Sequence, residues 1–153
     1  MTKSASEVIA CLQGKTLATA ESCTGGGIGA ALTAVPGASK VYKGGIISYC
    51  NEIKEKVLSV PGTVLSCDGA VSAPVAEAMA KGAKAAMNTD IAVSVTGLAG
   101  PDADEYGNPV GTVFIGYADE KNVLSRKYLF LGNREEIRSQ AIEAALLLIL
   151  QLQ

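Results

Sequence analysis

Apolar residues follow two rhythms along this chain, short unbroken runs of strand length and longer stretches with a helical period, and the two largely alternate. Glu7 to Leu12, after Ser4, predicts a short amphipathic helix that stops near Gly14. Thr16 to Glu21 reads as a strand, followed by a helix over about Thr24 to Ala34 that Pro36-Gly37 breaks. A second unit repeats the order, with a strand over Lys43 to Tyr49 and a helix over Asn51 to Val60 closed by Pro61-Gly62. Cys67 to Ser72 predicts a loop, and Ser72 a cap for a helix over Ala73 to Met87 with Pro74 in its first turn. The stripe Val75, Met79, Ala83, Ala86 on that helix is read as core packing rather than a cofactor site.

Asp90 to Val95 is the strongest strand signal, and it runs into a glycine-rich loop, Thr96 to Asp102. Gly111 to Tyr117 and Val123 to Leu131, joined across the polar turn Asp119 to Asn122, predict an antiparallel pair. Arg134 opens a last helix with acids in its first turn and a buried face of Ile137, Ala141, Ala144, Ala145 and Leu148. Its end, Leu146 to Leu150, is apolar all round and must meet either the sheet or another subunit. The expectation is one α/β domain over residues 1–153, with a mixed sheet.

Around Ser22 the chain reads Thr19-Ala-Glu-Ser-Cys-Thr-Gly-Gly-Gly27, a strand end, a tight turn and a helix start. Glycines there let backbone approach a ligand, and free N–H groups at a helix N-terminus attract anions or developing negative charge. The Ser22 hydroxyl is therefore either a nucleophile beside an oxyanion site or a cap for the helix that follows.

Composition narrows the chemistry. Of 153 residues 48% are hydrophobic and 18% charged, which suits a buried sheet under tightly packed helices. The net charge of -2 gives no footprint for nucleic acid. Met1 to Ser4 has no signal-like apolar core, and no stretch reaches the roughly 18 apolar residues of a membrane span, so a cytoplasmic chain is expected. Cys11, Cys23, Cys50 and Cys67 are scattered without a C-x-x-C pair, which indicates neither a disulfide framework nor a zinc site. The absence of histidine excludes a Ser-His-Asp or Cys-His mechanism, leaving lysine, tyrosine and carboxylates as bases.

Six ordered segments carry a family resemblance: Ala20 to Gly26, Gly44 to Lys54, Gly69 to Ser72, Thr96 to Pro101, Pro109 to Val113 and Gly132 to Arg134. Together they resemble the stand-alone form of the CinA C-terminal domain, the nicotinamide mononucleotide deamidase family. The resemblance implies a three-layer α/β/α sandwich with a mixed, mostly parallel sheet, usually a homodimer. It also implies hydrolysis of the nicotinamide carboxamide in pyridine-nucleotide salvage, with a nucleotide substrate and neither metal nor cofactor. Carried over by position, Ser22 is the nucleophile, and Tyr49 and Lys54 activate it. Thr24, Gly25, Gly26, Asn51, Thr96, Gly97, Gly100 and Arg134 contact substrate, with Arg138 on the same helix face as a substitute for Arg134.

Two features depart from the family pattern. Asp68 stands where relatives commonly have histidine, and 153 residues leave no room for the molybdopterin-binding-like domain to which many relatives are fused. A non-catalytic nucleotide-binding or interaction module would need the same loops. If Asn51 caps its helix, Lys54 lies in the first turn, where the helix dipole lowers its pKa, with burial needed for most of any useful shift.

Overall fold

The computed structural model describes residues 2–153; Met1, at the start of the stretch read for a targeting signal, lies outside them. Five strands, β1 (Leu17–Glu21), β2 (Tyr42–Ile47), β3 (Ile91–Gly97), β4 (Thr112–Ala118) and β5 (Val123–Leu129), form one sheet in the order β2-β1-β3-β4-β5. β1 pairs parallel with both β2 and β3, whereas β3–β4 and β4–β5 are antiparallel. β5 thus runs with the first three strands, and only β4 opposes them, so the sheet is mixed and mostly parallel as expected.

Helices cover both faces. On one lie α1 (Lys3–Cys11), α2 (Gly27–Thr33) and α6 (Arg134–Gln151); on the other lie α3 (Asn51–Leu58), α4 (Gly62–Asp68) and α5 (Ala73–Met87). Side-chain size differs between these layers for a physical reason. The face under α1, α2 and α6 carries Ile91, Val93, Val95 and Ile115, packed against Leu12, Ile28 and Leu146. The face under α5 carries Ala18, Ala20 and Ala92, so the alanine-rich α5 sits close, with Val75 and Met79 in the same cluster. At Gly82 a Cβ would stand 1.9 Å from the Leu58 carbonyl oxygen, so only glycine lets α5 cross the C-terminal end of α3 this closely.

Three expectations are corrected. The region before Ser72 is not all loop, because residues 62–68 form α4, a helix of seven residues with Leu65 as its one buried side chain. Asn51 is the first helical residue of α3 and not its cap; Cys50 holds that place without a side-chain bond. Ser72 does stand at the N-cap of α5, but its hydroxyl donates to the Gly69 carbonyl at 2.9 Å instead of capping. The apolar end of α6 is mostly absorbed by the core: Leu146, Leu148 and Ile149 are buried and Leu147 is 41% exposed. No helix among the described residues is long and apolar enough to cross a membrane.

Candidate active site

The carboxyl ends of β1, β2 and β3 lie side by side, and the ladder continues one step past each strand. Ser22 N–H donates to Val95 O at 2.9 Å, and Ser48 N–H to Glu21 O at 2.8 Å. Loops leaving the carboxyl ends of parallel strands are the usual ligand position in open α/β sheets. Here they enclose a cleft of about 410 Å3 lined by Ser22, Cys23, Tyr49, Asn51, Lys54, Ala70, Val71, the 96–102 loop and Arg134. That volume suits a small molecule.

The turn after β1 holds Ser22 by its neighbours. Gly25 (φ 58°) and Gly26 (φ 100°) occupy the left-handed region, where a side chain is strained. Beneath them the buried Glu21 carboxylate accepts from Thr24 Oγ1 at 2.7 Å, Ile28 N–H at 2.9 Å and Gly29 N–H at 3.0 Å. The turn's own carbonyls take Gly25 N–H and Gly27 N–H. The first free donors of α2 are therefore largely taken up internally, and the positive end of its dipole faces a carboxylate of the chain itself. Ser22 is not the cap of α2: Gly26 stands at the N-cap, and the side chain that meets the helix's first N–H groups is Glu21. From above, Arg138 donates through Nε to Cys23 O at 3.0 Å and through a terminal nitrogen to Thr24 O at 3.1 Å.

Lys54 meets Ser22 directly. Its Nζ lies 3.0 Å from Ser22 Oγ and donates to Ser48 O at 2.8 Å, and the residue is 1% exposed. Among the described residues the ion pairs are Lys3–Glu7 and Glu52–Lys56, both at the surface, so no carboxylate balances the buried amine. Burial holds its pKa below the ordinary lysine value. A lysine in that environment is suited to accept a proton from a neighbouring hydroxyl. Cys23, beside the serine, is different: burial pushes its thiol up to about 11, which leaves it protonated and a poor nucleophile.

The other residues read from sequence divide into those at the cleft and those beside it. Tyr49, Asn51, Thr96, Gly97, Gly100 and Arg134 line it. Tyr49 is 61% exposed and makes no hydrogen bond to Ser22 or Lys54; its hydroxyl accepts from Arg134 at 3.0 Å. Arg134 also donates to Gly100 O at 2.6 Å, tying the loop after β2 to the loop after β3 across the mouth. Thr96 is buried, and its hydroxyl donates to Ala70 O at 2.7 Å, so it presents a wall more than a free donor. Thr24, Gly25 and Gly26 shape the turn without lining the cleft. Arg138 grips the turn and does not substitute for Arg134 at the mouth. Asp68 is an exposed residue at the end of α4.

Sequence reading did not assign a place to Ala70, Val71 or Asp102 in the cleft, or to Glu21 and Arg138 in holding the turn. Ala70 and Val71 sit inside a family-like motif, which was the available signal. Nothing local marks Glu21 as an acid that turns back under the following helix.

The CinA C-terminal domain model matches residues 1–153. The chain belongs to the CinA C-terminal domain family. A nicotinamide-nucleotide amidohydrolase, PncC, from Pseudomonas putida is 47% identical over 134 residues, covering 88% of this chain and 84% of that protein. A CinA-like protein from Gemmatimonas aurantiaca is 48% identical over 131 residues, 86% of this chain but 31% of that protein. The chain thus spans about a third of the length of several CinA-like relatives it matches. Among solved structures, the competence/damage inducible protein CihA from Agrobacterium tumefaciens superposes with a TM-score of 0.94 at 36% identity, covering 98% of this chain and 93% of that one. A CinA superfamily protein from Escherichia coli gives 0.93 at 34% identity, covering 98% and 88%. The α/β/α sandwich is therefore the CinA fold.

Proposed function

We propose that this chain hydrolyses the carboxamide of nicotinamide mononucleotide to nicotinic acid mononucleotide and ammonia, with Ser22 as nucleophile and Lys54 as its base. The observation that carries the reading is the 3.0 Å approach of a buried, acid-free lysine to a serine at the carboxyl edge of the sheet. The name of the Pseudomonas putida relative supports the substrate class. Neutral Lys54 takes the Ser22 proton as Oγ bonds to the amide carbon, and the oxyanion is met by the backbone N–H of Cys23, the turn residue that lines the cleft beside Ser22. The C–N bond breaks as Lys54 returns the proton to nitrogen, releasing ammonia and leaving an acyl-serine. Water then gives its proton to Lys54 and its oxygen to the acyl carbon, and Ser22 leaves reprotonated. Tyr49 and Arg134 hold the phosphate at the mouth, while Asn51, Thr96, Gly97 and Gly100 bound the ring and ribose.

The experiment is ammonia release by the purified chain, wild type against Ser22→Ala, with nicotinamide mononucleotide and with nicotinamide. The nucleotide is the better substrate because binding at its phosphate positions the distant amide. Release no faster than the Ser22→Ala control on any nucleotide carboxamide would favour a binding module of the same fold. The chain is further proposed to act in the cytoplasm, in pyridine-nucleotide salvage, as a homodimer. The exposed Leu129, Leu131 and Leu147 supply apolar surface for that contact. Light scattering at micromolar concentration checks for twice the chain mass.

A further inference from the structure

Ser48 Oγ is the one buried side-chain polar atom without a hydrogen-bond partner among the described residues, and Ser48 is fully buried. Such an orphan is uncommon in a native fold, and alanine would fill the position without leaving a polar atom unpartnered. Its backbone is fully engaged: the N–H goes to Glu21 O and the carbonyl takes Lys54 Nζ. Alternation along β2 places its side chain on the face of Ile46, which packs in the cluster containing Leu58 and Val60 at the end of α3. That is the face Lys54 occupies.

The hydrogen inventory of Lys54 shows when the hydroxyl finds a partner. A neutral amine has two N–H groups and a lone pair, and the structure offers it the Ser48 carbonyl as acceptor and the Ser22 hydroxyl as donor. In that neutral amine one weak N–H goes without an acceptor; in the ammonium three N–H groups face the same two oxygens, and the donor left over then belongs to a charged group, which costs more to leave unpaired. No carboxylate is paired with Lys54 to receive it. The titratable groups nearest the amine are Cys23 from the turn after β1 and Cys50 at the start of α3. Tyr49, Asp102 and Arg134 line the cleft, and Ala70, Val71 and Thr96 on the remaining side carry no ionisable group.

We propose that Ser48 is a positioning residue whose hydroxyl turns about χ1 to accept the third N–H of Lys54 while Lys54 holds the serine proton. When the proton passes to the leaving nitrogen, the hydroxyl returns to its orphaned rotamer. This rests on the Ser22–Lys54 reading above, and it adds a reason for a serine at a site where the resting fold gives the hydroxyl nothing to do.

The test compares wild type, Ser48→Ala and Ser48→Thr by two readouts: the Nζ titration of Lys54, followed by NMR in the substrate-free, lysine-labelled chain, and the pH profile of ammonia release from nicotinamide mononucleotide. A hydrogen bond to the charged form favours it, so its loss lowers the titration midpoint. In Ser48→Ala the midpoint falls by about one pH unit, equivalent to a tenfold change in the protonation equilibrium. The rising limb of the rate moves with it, and the plateau rate falls about tenfold. Ser48→Thr, which keeps the hydroxyl, restores all three. An unchanged midpoint and limb in Ser48→Ala overturns the proposal, whatever happens to rate or stability. A midpoint that moves in a chain releasing no ammonia supports the Ser48–Lys54 contact while overturning the amidase reading.

Discussion

The floor and the mouth of the same cleft are built in opposite ways. At the floor, Ser22 and Lys54 are 8% and 1% exposed and are fixed by the sheet ladder, the Ser48 carbonyl and the braced turn. At the mouth, Tyr49 and Arg134 are exposed and are held by each other and by the Gly100 carbonyl. Low dielectric at the floor weakens the charged form of an amine, which is what a base requires, whereas an always-charged guanidinium at the wet mouth suits an anionic group arriving from water. On the proposed mechanism chemistry and binding are thereby separated by depth, and substitutions at the two levels should fail differently.

The largest effect is expected at the floor. Lys54→Arg keeps the charge but cannot release its proton, so turnover should fall by about 10² to 10⁴ while nicotinamide mononucleotide still binds, as read by calorimetry beside single-turnover kinetics. Near-normal turnover would remove Lys54 as the base. With wild type, the rate should rise with pH through a limb lying below the ordinary lysine range, because burial lowers the Lys54 pKa and the proposed mechanism runs through the neutral amine.

Substitution at the mouth should act mainly on KM. Arg134→Ala removes a charged donor and is expected to raise KM by roughly 10- to 100-fold with a smaller change in kcat. Tyr49→Phe, which leaves the ring but frees Arg134, should change KM by less. A kcat loss in Tyr49→Phe matching that of Lys54→Arg would instead put the Tyr49 hydroxyl in the proton path and erase the distinction between floor and mouth.

The smallest expected effect is on stability, and it has the opposite sign to the loss of activity. Lys54 titrates lower folded than unfolded, so between the two values the unfolded chain binds more protons and stability rises with pH. Lys54→Met removes the burden of the buried amine and should stabilise the fold by on the order of 1 kcal/mol near neutral pH. The gap from wild type should narrow as pH approaches the ordinary lysine value. Urea unfolding at two pH values measures both.

Much of this architecture was legible because hydrophobic runs and glycine or proline breaks mark strands and turns locally. β3, buried on both faces, and the fifteen-residue α5 were read close to their observed bounds. α4 was not, since seven residues with one buried side chain carry no readable period. Arg134 and Arg138 lie four residues apart on one helix face, so spacing could not separate them. Only packing sends Arg138 to the turn carbonyls and Arg134 to the mouth.

By itself the sequence determined the order of the five strands and of every α-helix but α4, the exclusion of histidine chemistry, and the set of motifs that place the chain in its family. Those depend on residue type and local periodicity, which are properties of neighbours along the chain. Only the tertiary structure decided that Glu21 fills the start of α2, that Lys54 reaches Ser22 without Tyr49 between them, and that Ser48, whose carbonyl holds the Lys54 amine, keeps an unpartnered hydroxyl. Each of these joins residues from different elements across the carboxyl edge of the sheet, and the burial that sets the Lys54 amine's proton affinity exists only once α3, β1 and β2 have packed together.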